Sequence, residues 1–172
     1  MTVRRTVLVV VATAALIVFS VLVGQAKTIS DPDETSIAHH DVESTTLVKP
    51  SAGHLAWKTV TWDTWASDTL VGPSAGALTL YLDTRGGPAA DYVVRIQWVS
   101  VSSALSCQLE KPGGALVDAG DVSRPSQSAV RCVFPTNAIT KDKTTRWRVE
   151  SAPSFALNDD KAPNTGWVRG VG

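Results

Sequence analysis

Residues 92–110 read YVVRIQWVSVSSALSCQLE, and the alternation in this stretch decides the fold class. Val94, Ile96 and Trp98 fall on one side of an extended chain, with Arg95 and Gln97 on the other. After a short polar interval, Leu105, Cys107 and Leu109 share a side against Ser106, Gln108 and Glu110. Successive side chains of a strand point to opposite faces, so an apolar/polar period of two marks a half-buried β-strand.

The same pattern recurs outward in both directions. Strands are predicted over Leu55–Trp65, Ala77–Asp83, Tyr92–Val101, Ala104–Glu110, Ala115–Val117, Ser128–Phe134, Thr144–Glu150 and Gly166–Arg169. Turn clusters separate them: Gly72-Pro73-Ser74, Arg85-Gly86-Gly87-Pro88, Lys111-Pro112-Gly113-Gly114 and Ala152-Pro153-Ser154. The expectation is an all-β domain, a single sandwich of about 7–8 strands. In architecture it resembles immunoglobulin and fibronectin-type sandwiches. It departs from an immunoglobulin domain proper, because Cys107 and Cys132 are too close in sequence to join strands B and F, and Trp98 precedes both. Likeness of architecture implies no function.

The N-terminus carries an export signal. Arg4 and Arg5 lead into Val7–Val23, which is apolar except for Thr13 and Ser20, and no charge occurs between Arg5 and Lys27. Arginines ahead of an apolar run stay in the cytoplasm while the following chain crosses. Residues 1–26 are therefore expected to form one hydrophobic helix, with two alternatives open. Gly24-Gln25-Ala26 suits signal peptidase, which would leave Lys27 first. Alternatively, residues 6–23 remain as a single-pass anchor with the N-terminus inside; the run is longer than most signals and shorter than most spans. A twin-arginine route fits less well, since Val3 stands where Ser or Thr is usual.

Location gives the cysteines their meaning. Cys107 and Cys132 are the only two, and outside the cytoplasm they should pair. Such a bridge closes a loop of about 25 residues, worth roughly 3.5 kcal/mol in chain entropy. Charge is balanced, with 16 basic and 16 acidic residues; without Arg4 and Arg5 the balance is 14 against 16. That net of −2 leaves no basic stripe for phosphate backbones, so nucleic acid is not an expected partner. Three domains of organisation follow: the segment 1–26, a polar Ser/Thr/Asp/Glu-rich stretch 27–53 read as a flexible stalk, and a disulfide-bonded sandwich over 54–172.

Candidate sites are few. Gly72-Pro73-Ser74-Ala75-Gly76 has the form G-x-S-x-G. However, a strand-like run follows it and every histidine precedes Ser74, so a turn is the reading. His39-His40 lies in the stalk and reads as a solvated pair. Trp62, Trp98 and Trp147 alternate with aliphatic residues and are assigned to the core. Trp57 and Trp65 fall on the face opposite Val60 and Trp62, which makes them the candidate exposed pair for stacking on a glycan or anchoring a protein. Asn158, Asp159, Asp160 and Asn164 form an oxygen-rich loop, the one conceivable cation site, yet the spacing matches no EF-hand and suits a turn. No catalytic group, metal or cofactor is expected. The functional expectation is an exported, non-catalytic extracytoplasmic module that binds or assembles at the cell envelope, with an envelope protein or glycan as partner. The alternatives are a secreted hydrolase with an unrecognised site and a pilin-like structural subunit.

Overall fold

The computed structural model describes residues 26–33, 40–71, 76–137, 139, 145–153 and 160–170. The hydrophobic segment lies outside these residues apart from Ala26, as do His39, Ser74, Asn158 and Asp159. The described chain is all-β, with eleven strands: β1 Ala26–Ser30, β2 Val42–Ser51, β3 His54–Thr61, β4 Gly76–Asp83, β5 Tyr92–Val99, β6 Ala104–Glu110, β7 Leu116–Ser126, β8 Ala129–Pro135, β9 Arg146–Pro153, β10 Asp160–Ala162 and β11 Val168–Arg169. One short 3-10 turn, Ser67–Thr69, precedes β4.

The strands form one hydrogen-bonded path in the order β1-β2-β3-β8-β7-β6-β5-β4-β9-β10, with β11 also on β9. Every pairing is antiparallel. The decisive stretch folds as read: β5 and β6 pair with Ile96 opposite Cys107 and Val94 opposite Leu109, and these four side chains are buried.

The turning point is β7. Its first half pairs with β6, Cys107 facing Gly120, and its second half with β8, Val122 facing Cys132. One strand therefore serves two arms of the sheet, and the arms fold toward each other around it. Residues from both arms meet in a single core, with Leu47, Trp57 and Phe134 from one and Leu80, Ile96, Leu109 and Trp147 from the other. The path nearly closes on itself. The Val42 amide donates to Asp160 Oδ2 at 2.6 Å, linking β2 to β10 from the two ends of the path.

The expected disulfide is present, joining Cys107 and Cys132 with Cα atoms 6.1 Å apart. It crosses the inner side of β7 and depends on a missing side chain. A Cβ added to Gly120 would lie 2.6 Å from the Val133 carbonyl oxygen, 3.0 Å from Cys132 Sγ and 3.1 Å from Phe134 Cβ.

Two expectations need correction. The stretch 27–53 does not read as a flexible stalk where it is described: β1 and β2 lie there, so described strands precede His54. Polar composition misled because the threonines work as strand residues. Thr45 is buried at the centre of a satisfied network, donating to the Lys58 carbonyl and lying 3.1 Å from Thr59 Oγ1, while Trp57 Nε1 donates to it at 3.0 Å. Val42 and Leu47 are buried beside it. Second, β7 runs to Ser126 rather than ending near Val117. Its polar residues read as a loop, and Pro125 sits where the β7–β8 register shifts between Ser123 and Ser126, a position that demands no ladder donor.

Antiparallel order gives the sheet two ends. At the lower end lie the start of β1, the β2–β3 turn, residues 84–91, the turn 111–115 and the last residues of β11. At the upper end lie residues 31–33 and 40–41, the connection 62–71 and the turns 100–103 and 127–128. If Gly120 is the clearance that lets the bridge pass, Gly120→Ala should lower unfolding free energy by about 1–3 kcal/mol through overpacking against backbone. Urea denaturation of the oxidised protein measures this, and an unchanged midpoint would remove the role assigned to Gly120.

Candidate functional site

A depression of about 690 Å³ opens at the upper end and is lined by Thr64, Trp65, Ala66, Ser67, Arg124, Ser126 and Gln127. It forms where the connection after β3 meets the β7–β8 turn. That connection closes the upper end of the core by burying Trp65 and Leu70, and the Leu70 carbonyl accepts from the Trp98 amide. Its return into β4 needs glycine: Gly76 has φ +118°, and a Cβ there would lie 2.3 Å from the Thr69 carbonyl oxygen. This explains the last glycine of the G-x-S-x-G string, and the segment that begins at Gly76 is a strand.

Arg124 joins the two walls. Its guanidinium carbon lies 3.6 Å from the Trp65 ring centroid. Nη1 donates to Ser67 Oγ at 3.0 Å, Nη2 to the carbonyls of Trp65 (3.0 Å) and Gln127, and Nε to the Ser126 carbonyl. Burial pulls its pKa down, and no ion pair among the described residues includes it. An arginine stays charged under such a shift, so the depression is walled by a cation held on neutral oxygens.

The other edge of Trp65 meets His40, ring centroids 5.1 Å apart at 80°. His40 is 3% exposed, which corrects its reading as a solvated residue. Its Nε2 lies 2.8 Å from Thr69 Oγ1, the spacing of a base and a nucleophile. The hydroxyl proton is already committed, because Thr69 Oγ1 donates to the Ala66 carbonyl at 2.6 Å. His40 Nε2 must then donate to Thr69, and the pair clips the connection in place instead of activating an oxygen.

The predicted tryptophan pair is not on the surface: Trp57 is 0% and Trp65 7% exposed. Both rings enter the core, Trp57 from β3 and Trp65 from the connection after it, because β3 ends at Thr61 rather than at Trp65; Trp62 is the exposed ring at 46%. Lys58 was the signal, since it lies on the side of Val60 and Trp62, and a core face does not carry an unpaired lysine. Trp147 is in the core as expected, whereas Trp98, near the end of β5, is only partly covered. Of the oxygen-rich loop, Asp160 and Asn164 are described. Asp160 is buried and accepts from the Val42 amide, while Asn164 is exposed. Among the described residues no group of three or more His, Cys, Asp or Glu could hold a metal ion.

Carboxylates elsewhere are tied into the frame. Asp83 is fully buried and accepts from Arg146 Nε at 2.7 Å and from the amides of Arg85, Gly86 and Gly87. Burial alone would raise its pKa; these donors more than offset it and hold the carboxyl below its ordinary range. Asp91 repeats the arrangement, with burial outweighed by Arg85 and by Thr84. No family model, curated protein or solved structure matches the chain.

Two outcomes are expected. Arg124→Ala should cost about 2 kcal/mol and expose Trp65 to a collisional quencher, because charged hydrogen bonds and a cation–π contact are lost together. Arg124→Lys should rescue little, since an ammonium cannot reach four acceptors from one plane. At Tyr81, burial first and then the neighbouring Glu150 carboxylate raise the pKa from 10.0 to about 12. The folded state thus holds this proton more tightly. The stability it contributes is whole below pH 10 and is lost as pH rises through about 12. Tyr81→Phe should flatten the alkaline fall of unfolding free energy in that window, and an identical slope would contradict the assignment.

Proposed function

We propose that this chain is an exported, non-catalytic module that binds or assembles at the cell envelope, with a glycan or an envelope protein as its partner. The observation that carries the reading is the buried Cys107–Cys132 bridge. Disulfides that hold a core together form and persist in oxidising compartments, and the apolar run Val7–Val23 behind Arg4 and Arg5 supplies a route to one. The two arms hinged at β7 favour a sandwich of the immunoglobulin or fibronectin kind as the finer architecture, with residues 6–23 as leader or anchor. Recognition is assigned to the upper end. There, the depression offers hydroxyls from Thr64, Ser67 and Ser126, the Gln127 amide and the Arg124 cation, while Trp62 presents an exposed ring on the same connection. An exposed aromatic beside neutral and charged hydrogen-bonding groups suits a sugar ring or a polar protein surface.

The test is capture of envelope glycans and proteins from the source cell by the full chain, compared with Trp62→Ala and Gln127→Ala. If Trp62 is an anchor, its removal should weaken capture at least tenfold, as expected for an interface hot spot. Capture by both variants at the level of the parent chain would remove the reading.

A further inference from the structure

Among the described residues, charge is unevenly divided between the two ends of the sheet. At the lower end lie Lys27 on β1, Lys49 on β2, Arg85, Lys111, Arg146 on β9 and Arg169 on β11. The buried carboxylates among them are Asp83 and Asp91, paired with Arg146 and Arg85, and Glu110, paired with Arg95. Lys27, Lys49, Lys111 and Arg169 are exposed and belong to no ion pair among the described residues. A recess of about 210 Å³ opens between Arg85 and Lys111. The upper end reverses the sign: Asp33, Asp63 and Asp68 are exposed there and Glu43 is half-buried, while Asp31, Asp41 and Asp160 are buried; Arg124 is the cation of the depression. The lower half of β7 also carries two exposed carboxylates, Asp121 level in register with Ala26 and Asp118 nearer the turn 111–115, which offset part of the positive charge there.

The lower end is also where the chain arrives from its apolar run. β1 starts at Ala26, and Val7–Val23 ends just before it in sequence. The intervening Gly24 and Gln25 can span only about 7–10 Å at full extension. A chain whose apolar run lies in a bilayer therefore has no stalk, and the lower end sits at the headgroups. From this placement and this charge, we propose that the lower end of the sheet, through Lys27, Lys49, Arg85, Lys111 and Arg169, docks on the anionic headgroups of the membrane into which residues 6–23 insert. This inference rests on the reading of the chain as exported and anchored. Basic residues near an anionic surface each strengthen association about fivefold. The acidic upper end is repelled by the same surface, so the domain stands with the Trp62 and Arg124 face outward.

The test uses the full chain mixed with vesicles of phosphatidylcholine alone or with added phosphatidylglycerol. Flotation reports membrane attachment, and labelling by a water-soluble amine reagent, read by mass spectrometry, reports exposure of each lysine. Lys27, Lys49 and Lys111 should label several-fold more slowly on the anionic vesicles than on the neutral ones, and recover at 1 M salt, where screening shortens to about 3 Å. Lys58 and Lys161, exposed away from the lower end, should label alike on both. Lys49→Gln with Lys111→Gln should reduce the protection of Lys27 by up to about 25-fold. Flotation with anionic vesicles only, with the same protection pattern, upholds docking and discards the anchor. Flotation with both vesicles and uniform lysine labelling overturns docking and leaves the anchor standing. Flotation with neither overturns both. Protection that needs no anionic lipid and grows with protein concentration also overturns the proposal, since the acidic end of a second copy would then be the occupant.

Discussion

The fold depends on one strand having two partners that must be brought together. β7 gives its first half to β6 and its second half to β8, so the neighbours of one strand belong to different arms of the sheet. The bridge from Cys107 to Cys132 locks that arrangement by spanning β7 on its inner side. Gly120 makes the crossing possible, because any Cβ there would collide with the Val133 carbonyl and the bridge itself. Closing the arms puts Trp57, Phe134, Ile96 and Trp147 into one core, where each large apolar side chain contributes roughly 1.5–3 kcal/mol.

A sheet folded this way buries its middle and leaves polar groups to organise its ends. At the lower end the loop between β4 and β5 is built around Asp83 and Asp91. Their carboxylates accept from backbone amides and from Arg146 and Arg85, so both are held ionised despite burial. At the upper end neutral oxygens do the equivalent work for a cation, with four acceptors around Arg124 and the Trp65 ring beneath it. Both arrangements satisfy a charge by local geometry, which a buried ion needs if it is not to cost more than its contacts return.

Much of the β pattern was legible from residues. The alternation in Val94, Ile96, Leu105, Cys107 and Leu109 gave strand type, pairing face and the cysteine contact, because period two is imposed by backbone pleating and survives any tertiary context. The polar strands were not legible. Thr28, Thr45 and Thr46 look like linker residues in composition. Only the partners across β1, β2 and β3, among them Thr28 with Thr46 and Thr45 with Thr59, turn their hydroxyls into buried or cross-strand bonds. The candidate site was half visible. Trp57 and Trp65 do end in the same core, but Trp65 lies past the end of β3, where strand parity no longer applies, and parity alone does not say which of two faces is inside.

By itself, the sequence determined the class of the domain, its two-residue period and the pairing of its only two cysteines, since these follow from local backbone geometry and from chemistry with no competing partner. Tertiary structure decided which tryptophan meets solvent, where Arg124 and His40 lie, and which charges gather at which end of the sheet. Those outcomes depend on residues distant in sequence, such as Trp65 and Arg124 or Val42 and Asp160, and only the folding of the arms around β7 sets how such residues meet.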